Sequence, residues 1–489
     1  MAKEKEKTMS LEDVLWECRV SLRGVGSLDK NRDAVISLVF LKFAGEKFDK
    51  CREQIKTQYG DNPAFLESPT FYNAENVFYL KETARWDYIV KNASQNDIAV
   101  IIDKAMSDIE TDNPSLAGAL SKNLFSTLGA DKNKIKSLID SVNRIDEKRF
   151  HEEDLIGRVY EYFLQIYAAS GTKEDGEFYT PACIVKLIAE LIEPFDGIVY
   201  DPCCGSGGMF VQTGDFVNHA GMIANNTMTF YGQEKVEYNA KLCLMNMAVH
   251  GLTGVIKSGD EANTFYHDAH NLNGCCDYVM ANPPFNVDKV KSESAQSAGR
   301  LPFGLPGVNK AKEIGNANYL WVSYFYSYLN EHGRAGFVMA SSATDSQGKD
   351  KDIREKLIQT GHVDVMMSVG NNFFYTKSLP CSLWFLDKGK PEHLLDTVLF
   401  IDARNYYTVV DRTQNEWSDW QLKNLNAIVW LYRGEVDKYK VLLAEYHAEL
   451  ADDRPFAEIQ AALEQNVQAK REEAKAAVDA APRKERKTT

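Results

Sequence analysis

No stretch of this chain stays apolar for the roughly 18 residues that a membrane-spanning helix needs. The N-terminus, MAKEKEKTMS, is charged and lacks the apolar core of a secretory signal. Nine cysteines are present but no C-x-x-C; two pairs, Cys203/Cys204 and Cys275/Cys276, are adjacent. That spacing argues against a zinc site and a disulfide framework, and the expectation is a cytoplasmic protein with no metal and no membrane partner. Positive charge is also scarce. Lys and Arg number 56 against 70 Asp and Glu, giving a net charge of −14 and a pI near 5.3. A protein that holds duplex DNA alone usually shows a basic surface, because phosphate neutralisation supplies most of the affinity. Any nucleic-acid role must use local basic patches or a partner's charge. Acidity that serves only solubility is the plainer alternative.

At 489 residues the chain exceeds one ordinary core, so two or three domains are expected. Residues 10–165 read as helical. DAVISLVFLKFAGEKF (33–48) is apolar on more than one face, which predicts burial within a bundle. DLIGRVYEYFLQIYAASG closes this region, with Gly171 as its C-cap. From about 172 strands alternate with helices: 197–201, 229–234, 255–260, 277–282, 335–341, 363–369 and 382–388 read as strands, and 182–193, 207–217, 236–250, 317–331 and 350–359 as helices. The pattern predicts an α/β fold, a doubly wound and mostly parallel sheet between a helical N-terminal domain and C-terminal helices. Residues 286–314 show no element and carry five basic residues against three acids. Beyond about 405 helices return. Leu425, Val429, Tyr432, Val436, Tyr439, Leu443, Tyr446 and Leu450 follow a 4-3 spacing, a seam for packing on another helix. An intramolecular helical hairpin, with Gly434 off the seam, is the alternative. The expected division is 1–165, 166–405 and 406–489.

VYDPCCGSGG (199–208) puts a glycine-rich loop between a strand and a helix. It matches neither G-x-x-x-x-G-K-[ST] nor G-x-G-x-x-G, so a triphosphate loop and a dinucleotide fingerprint are set aside, while a nucleoside without a pyrophosphate fits. The second strand ends at Glu234, where an acid in a doubly wound sheet accepts from ribose hydroxyls. The third is expected to end at Asp260, able to accept from an adenine amino group. Asp201, Glu234 and Asp260 in one register outline a nucleoside pocket along the carboxyl edge of the sheet.

The fourth strand delivers Asn282, Pro283, Pro284 and Phe285 to that edge. The Asn282 side-chain oxygen and the Pro283 carbonyl are acceptors, and the two rigid prolines let them converge on one NH₂ group. An exocyclic amine is a poor nucleophile because its lone pair is delocalised into the ring. Two acceptors on its hydrogens draw the nitrogen toward pyramidal geometry and expose that pair. Phe285 can stack on the base. The matching electrophile needs no activation, as a methyl sulfonium does not, and catalysis reduces to alignment and electrostatics.

NPPF after DPCCGSGG resembles the S-adenosylmethionine-dependent amino-group methyltransferases. GEFYTP (176–181), ahead of both, is similar to their cofactor segment in a permuted motif order. ISLVFLKF, GNANYLW, GRAGFVMA and NNFFYTKSLPCSLWFLDK resemble the modification subunits of type I restriction–modification systems, over roughly residues 10–400. The resemblance implies a Rossmann-like methyltransferase sheet. In it Glu177, Phe178, Tyr179, Thr180, Pro181 and Ala182 form the first cofactor segment, with Thr180 near the methionine carboxylate. Ser206, Gly207 and Gly208, after Asp201, form the glycine loop; Glu234 meets the ribose and Asp260 the adenine. Asn282 to Phe285 act on N6 of adenine in double-stranded DNA, on a base flipped out of the stack.

The resemblance further implies that a separate specificity subunit chooses the sequence, that two copies of this chain flank it, and that a restriction subunit joins the full complex. It turns the 425–450 seam into a docking surface for the specificity subunit. Two other readings remain. NPPF-like tetrapeptides also serve enzymes that methylate RNA bases or a protein glutamine, although those are typically smaller and lack these flanking helices. A non-catalytic, cofactor-binding scaffold of a defence complex is the other, and an intact Asn282 counts against it.

Overall fold

The computed structural model describes residues 9–116, 118–146, 150, 155–168, 180–374, 380–411, 414–451 and 454–480. Gly171 lies outside them. The chain forms two compact units, Met1–Ser418 and Asp419–Thr489.

The first unit begins with helices. Helix α1 (Leu11–Ser21) opens on a capping box in which Ser10 and Asp13 exchange side-chain-to-backbone hydrogen bonds, each 3.1 Å. Helix α2 (Leu28–Tyr59) is buried on all sides from Ala34 to Gly45, as its all-round apolar sequence predicts. Within that stretch Lys42 is 1% exposed and ion-pairs with Glu46. A Cβ on Gly45 would come 2.8 Å from Cβ of Trp86, so glycine permits the close approach of the segment Trp86–Asn92. Helices α3 (Ile98–Asp112), α4 (Lys132–Val142) and α5 (Leu155–Ala168) complete this bundle.

An eight-stranded sheet follows. Its strands are β1 (Gly197–Asp201), β2 (Met228–Glu234), β3 (Gly254–Ser258), β4 (Cys276–Ala281), β5 (Leu329–Ala340), β6 (Val363–Val369), β7 (Cys381–Asp387) and β8 (Leu399–Ala403). The order is β8-β6-β7-β5-β4-β1-β2-β3. Only β7 runs antiparallel to its neighbours. Helices α6 (Ala182–Ile192), α7 (Gly208–His219), α8 (Glu237–Val249), α9 (Asn318–Tyr328) and α10 (Lys349–Gln359) flank it.

Side-chain alternation along β5 separates the two layers. Ala335, Phe337 and Met339 face the core built with Tyr324, Phe325 and Tyr328 of α9 and Ile353 and Leu357 of α10. At Gly336, pointing the other way, a Cβ would stand 2.6 Å from Cγ2 of Ile188 on α6. The sheet is therefore covered on both faces, as a doubly wound architecture requires.

The helical bundle and the sheet region are parts of one unit rather than separate compact bodies. Leu242, Met245, Ala248 and Val249 of α8 are buried in the same core as α1 and α2. The guanidinium of Arg32 on α2 lies 3.8 Å from the centre of the Tyr238 ring on α8. Leu242 to Val249 thus join the two regions by shared packing, and the compact units meet at 418/419.

Two expectations need correction. Residues 286–314 are structured: Val290–Lys291 pairs antiparallel with Glu313–Ile314, Ser292–Ser297 is a short helix, and Val290, Ala295, Phe303 and Ile314 are buried in the sheet's core. Strand β8 and a ribbon, Thr408–Asp411 with Gln414–Glu416, precede the C-terminal helices, which begin at Asp419.

For residues 425–450 the hairpin alternative is the one the structure shows. Helix α11 (Asp419–Arg433) ends at Gly434, whose φ of 82° is left-handed, and α12 (Val436–Ala451) folds back as a hairpin. Trp420 stacks on Tyr446 with ring centres 4.2 Å apart, and Lys423 pairs with Glu445 at 2.7 Å. Helix α13 (Arg454–Ala480) follows. The 4-3 spacing of the sequence continues across a glycine that the backbone uses to reverse.

Candidate active site

The parallel quartet β4-β1-β2-β3 ends on one edge. Val199 and Tyr200 of β1 align with Tyr278 and Val279 of β4, Asp201 aligns with Gly232, and Glu234 aligns with Ser258. The residues at or just past the strand ends therefore run Asn282, Asp201, Glu234, Asp260 across the edge. Strand order reverses between β1 and β4, and the crevice at such a reversal is where doubly wound sheets bind ligands. The glycine loop lies on one side of it and the tetrapeptide on the other.

Glu234 is 6% exposed. Its carboxylate accepts from the Gly205 N–H at 2.9 Å and from the Val236 N–H at 2.8 Å, which fixes it at the base of the glycine loop. Gly205 has a φ of 50°, and a Cβ there would meet nothing within 4 Å, so the loop is open at that point to a ligand approaching the backbone. Gly207 has a different reason for being glycine. Its φ is 83° and a Cβ would fall 2.8 Å from Sγ of Cys243, so it permits α7 and α8 to pack. Gly208 begins α7, and the Ser206 carbonyl accepts from Asn246 Nδ2 at 3.1 Å. The loop thus divides into an open glycine and a packing glycine.

Asp201 is buried, and one of its carboxylate oxygens accepts from the Cys203 N–H at 3.0 Å. Burial pushes its pKa up to about 7, partly offset by that hydrogen bond and reinforced by the negative charge of Glu234. Asp260 departs from the expected position. Strand β3 stops at Ser258, Gly259 turns the chain with a φ of 87°, and Asp260 opens a short 3₁₀ turn, Asp260–Ala262, exposed at the rim.

Thr180 and Pro181 are buried and Ala182 begins α6. Glu177, Phe178 and Tyr179 lie outside the described residues. Asn282, Pro284 and Phe285 are half-buried and Pro283 is buried directly after β4. Among the described residues no group of three or more His, Cys, Asp or Glu could hold a metal ion, and no helix is long and apolar enough to cross a membrane.

Two polar networks support the edge and were not singled out from sequence. Gln233 is fully buried: its Nε2 donates to the carbonyls of Ala262 and His267, each at 3.2 Å, and to Thr264 Oγ1 at 3.1 Å, while its Oε1 accepts from the Tyr200 hydroxyl at 2.7 Å. The Thr264 hydroxyl donates in turn to the Pro202 carbonyl at 2.5 Å, tying the loop after β3 to the glycine loop. The second network joins Asn286 to Asn316 and Asn318. The only advance signal for either was polarity beside a strand end, and the segment GNANYLW.

Comparison with known proteins gives this edge a family. The N-6 DNA Methylase family profile matches residues 151–462, and the HsdM N-terminal domain profile matches 11–143. A type I restriction enzyme methylase subunit of Methanocaldococcus jannaschii is 31% identical over 93% of this chain and 81% of its own length. A type I methylase subunit of Haemophilus influenzae is 33% identical over 66% of this chain and 72% of its own. Among solved structures, the type I restriction–modification methyltransferase subunit of Streptococcus thermophilus superposes with a TM-score of 0.64 at 20% identity, covering 86% of this chain and 92% of that one, a likeness of fold. A doubly wound sheet behind a helical bundle, with a glycine loop and an NPPF tetrapeptide meeting at the strand-order reversal, belongs with these proteins: the chain is a member of the N-6 DNA methylase family, a DNA methyltransferase of the type I restriction–modification kind.

Proposed function

We propose that this chain transfers a methyl group from S-adenosylmethionine to N6 of adenine in double-stranded DNA, as the modification subunit of a type I restriction–modification complex. The observation that carries this reading is the position of Asn282-Pro283-Pro284-Phe285, directly past β4 and across the strand-order reversal from the glycine loop. The residues fit the cofactor: Gly205 leaves open space beside a left-handed backbone, and the Glu234 carboxylate is held where a ribose would approach. Thr180 to Ala182, Asp201, Ser206 to Gly208 and Asp260 form the rest of the proposed cofactor wall, together with Glu177, Phe178 and Tyr179. When bound, S-adenosylmethionine supplies a methyl sulfonium electrophile.

The chain's own residues prepare the nucleophile. Asn282 Oδ1 and the Pro283 carbonyl accept the two amine hydrogens and draw the nitrogen lone pair out of conjugation. Phe285 stacks on the base and holds its plane. No strong base is required, because the nitrogen sheds its proton after the transfer, and the gain comes from alignment and from fixed dipoles. N6 is paired inside the duplex, so the adenine has to leave the stack to reach this edge.

Partners follow from the same reading. The chain's acidity leaves phosphate binding to local patches and to other subunits. A specificity subunit would choose the target, a second copy of this chain would complete the modification enzyme, and a restriction subunit would join it. The unit Asp419–Thr489 is the proposed docking element. An RNA base or a protein glutamine as methyl acceptor is disfavoured by the match to DNA methylase relatives along most of the chain.

The test is Asn282→Ala, assayed with the co-encoded specificity subunit. Methyl transfer to DNA should fall roughly 100–1,000-fold, the range for loss of one preorganised polar group, with cofactor affinity unchanged. A wild-type rate would refute the assigned chemistry.

A further inference from the structure

The segment that leaves the tetrapeptide and the segment that returns to the sheet are stitched together immediately beside Phe285. Asn286 adopts a left-handed φ of 57°. Its backbone N–H donates to Asn318 Oδ1 at 2.9 Å, and its own Oδ1 accepts from Asn318 Nδ2 and Asn316 Nδ2, both at 3.0 Å. One residue on, the Val287 carbonyl accepts from the Ala317 N–H at 2.9 Å. Asn316 Oδ1 in turn accepts from the Asn318 N–H at 2.9 Å. Asn318 is 3% exposed and is the first residue of α9, whose Tyr319 hydroxyl is anchored on the Ala343 carbonyl at 2.6 Å.

Four hydrogen bonds therefore close the neck of the excursion between Asn286 and Ala317 onto a helix built into the sheet's core. Asn286 is the hub: Asn and Asp tolerate a left-handed backbone, and its side-chain oxygen supplies the acceptor that meets both amide donors while its backbone N–H donates. The excursion itself is held by separate contacts. Lys312 pairs with Glu293, and Ser292 Oγ donates to the Lys312 carbonyl at 2.7 Å.

We propose that Asn286 and Asn318 are positioning residues for methyl transfer: their reciprocal amide clamp fixes the backbone that follows Phe285, and so the angle at which Asn282 and Pro283 present their two acceptors. This rests on the reading of Asn282 as the amine-binding residue. A tetrapeptide anchored only at β4 would be tethered at one end; the clamp tethers the other. Misplacement of reacting groups by a fraction of an ångström to about 1 Å costs up to about 100-fold in rate. The clamp does not touch the glycine loop, so cofactor affinity is independent of it.

Three variants in complex with the specificity subunit test this. Asn286→Gly keeps the left-handed backbone and removes the hub; Asn318→Leu removes the reciprocal donor and acceptor; Asn286→Asp keeps the conformation and the acceptor. Single-turnover methyl transfer should fall about 10–100-fold in the first two, with cofactor Kd and melting temperature at wild-type values, and Asn286→Asp should stay within about threefold. Wild-type rates in Asn286→Gly and Asn318→Leu would overturn the proposal, as would a parallel loss of rate, cofactor affinity and melting temperature in both. Asn282→Ala run alongside separates the two ideas. If it is inactive while the clamp variants are normal, only the clamp fails; if it is fully active, the reading of the site fails.

Discussion

The carboxyl edge of the sheet and the C-terminal unit solve opposite problems. At the edge, polar groups are answered from within the chain: the buried Glu234 by two backbone N–H groups, the buried Gln233 by five partners, and the exposed Asn286 by two asparagines. In the unit Asp419–Thr489 the reverse holds, and apolar side chains are left at the surface. Val441 and Leu463 are each 62% exposed, and Leu431, Val436 and Val467 are exposed as well. In the proposed methyl-transfer site, satisfying these groups internally holds the acceptors at fixed angles. Exposed apolar residues of this kind suit the docking role proposed for this unit. On the proposed reading, chemistry and assembly fall to different stretches of one sequence.

The comparison can be broken most severely by deleting Asp419–Thr489. The expected outcome is a chain that binds S-adenosylmethionine with wild-type affinity in calorimetry but no longer co-purifies with its specificity subunit. Lost cofactor affinity would show that the two functions are not separable in this way.

A smaller effect comes from Asp201. Its folded-state pKa near 7 lies above the ordinary carboxyl value of about 3.9. Between those two values the folded chain keeps a proton that the unfolded chain has released, so stability falls as pH rises from about 4 to 7 and is level beyond. Asp201→Asn should therefore melt with the wild type near pH 4 and at higher temperature above pH 7. Equal melting temperatures across that range would place an ordinary, solvated carboxylate at the end of β1.

The smallest effect concerns the hairpin. Lys423 and Glu445 are each more than 40% exposed, and such pairs contribute under about 1 kcal/mol. Lys423→Ala should leave helicity by circular dichroism unchanged and assembly intact. A large loss of either would mean that the hairpin depends on that ion pair more than on the stacking of Trp420 and Tyr446.

Much of this was legible in the sequence because the decisive residues follow strands with uninterrupted apolar runs. Residues 197–201 and 277–282 announce β1 and β4 and hence the edge, and the glycines after Asp201 mark the turn into α7. What stayed hidden has local causes. Strand β8 lies at the sheet's edge with Phe400 75% exposed, and its apolar run, Val398 to Ile401, is only four residues long. The structure within 286–314 is a two-residue ribbon and a six-residue helix, too short for periodicity to register. The Asn286–Asn318 clamp spans a long separation that no local pattern records, although Asn318 lies within GNANYLW, a segment of the family resemblance. The seam at 425–450 misled because a 4-3 spacing counts residues and does not see a left-handed glycine reverse the chain.

The most direct test of the account is to incubate the chain and its co-encoded specificity subunit with S-adenosylmethionine and unmethylated duplex DNA, then identify the modified nucleosides by mass spectrometry. The account predicts N6-methyladenine, absent when Asn282→Ala replaces the wild type. Methyl groups on cytosine, on RNA or on protein, with none on adenine N6, would contradict it.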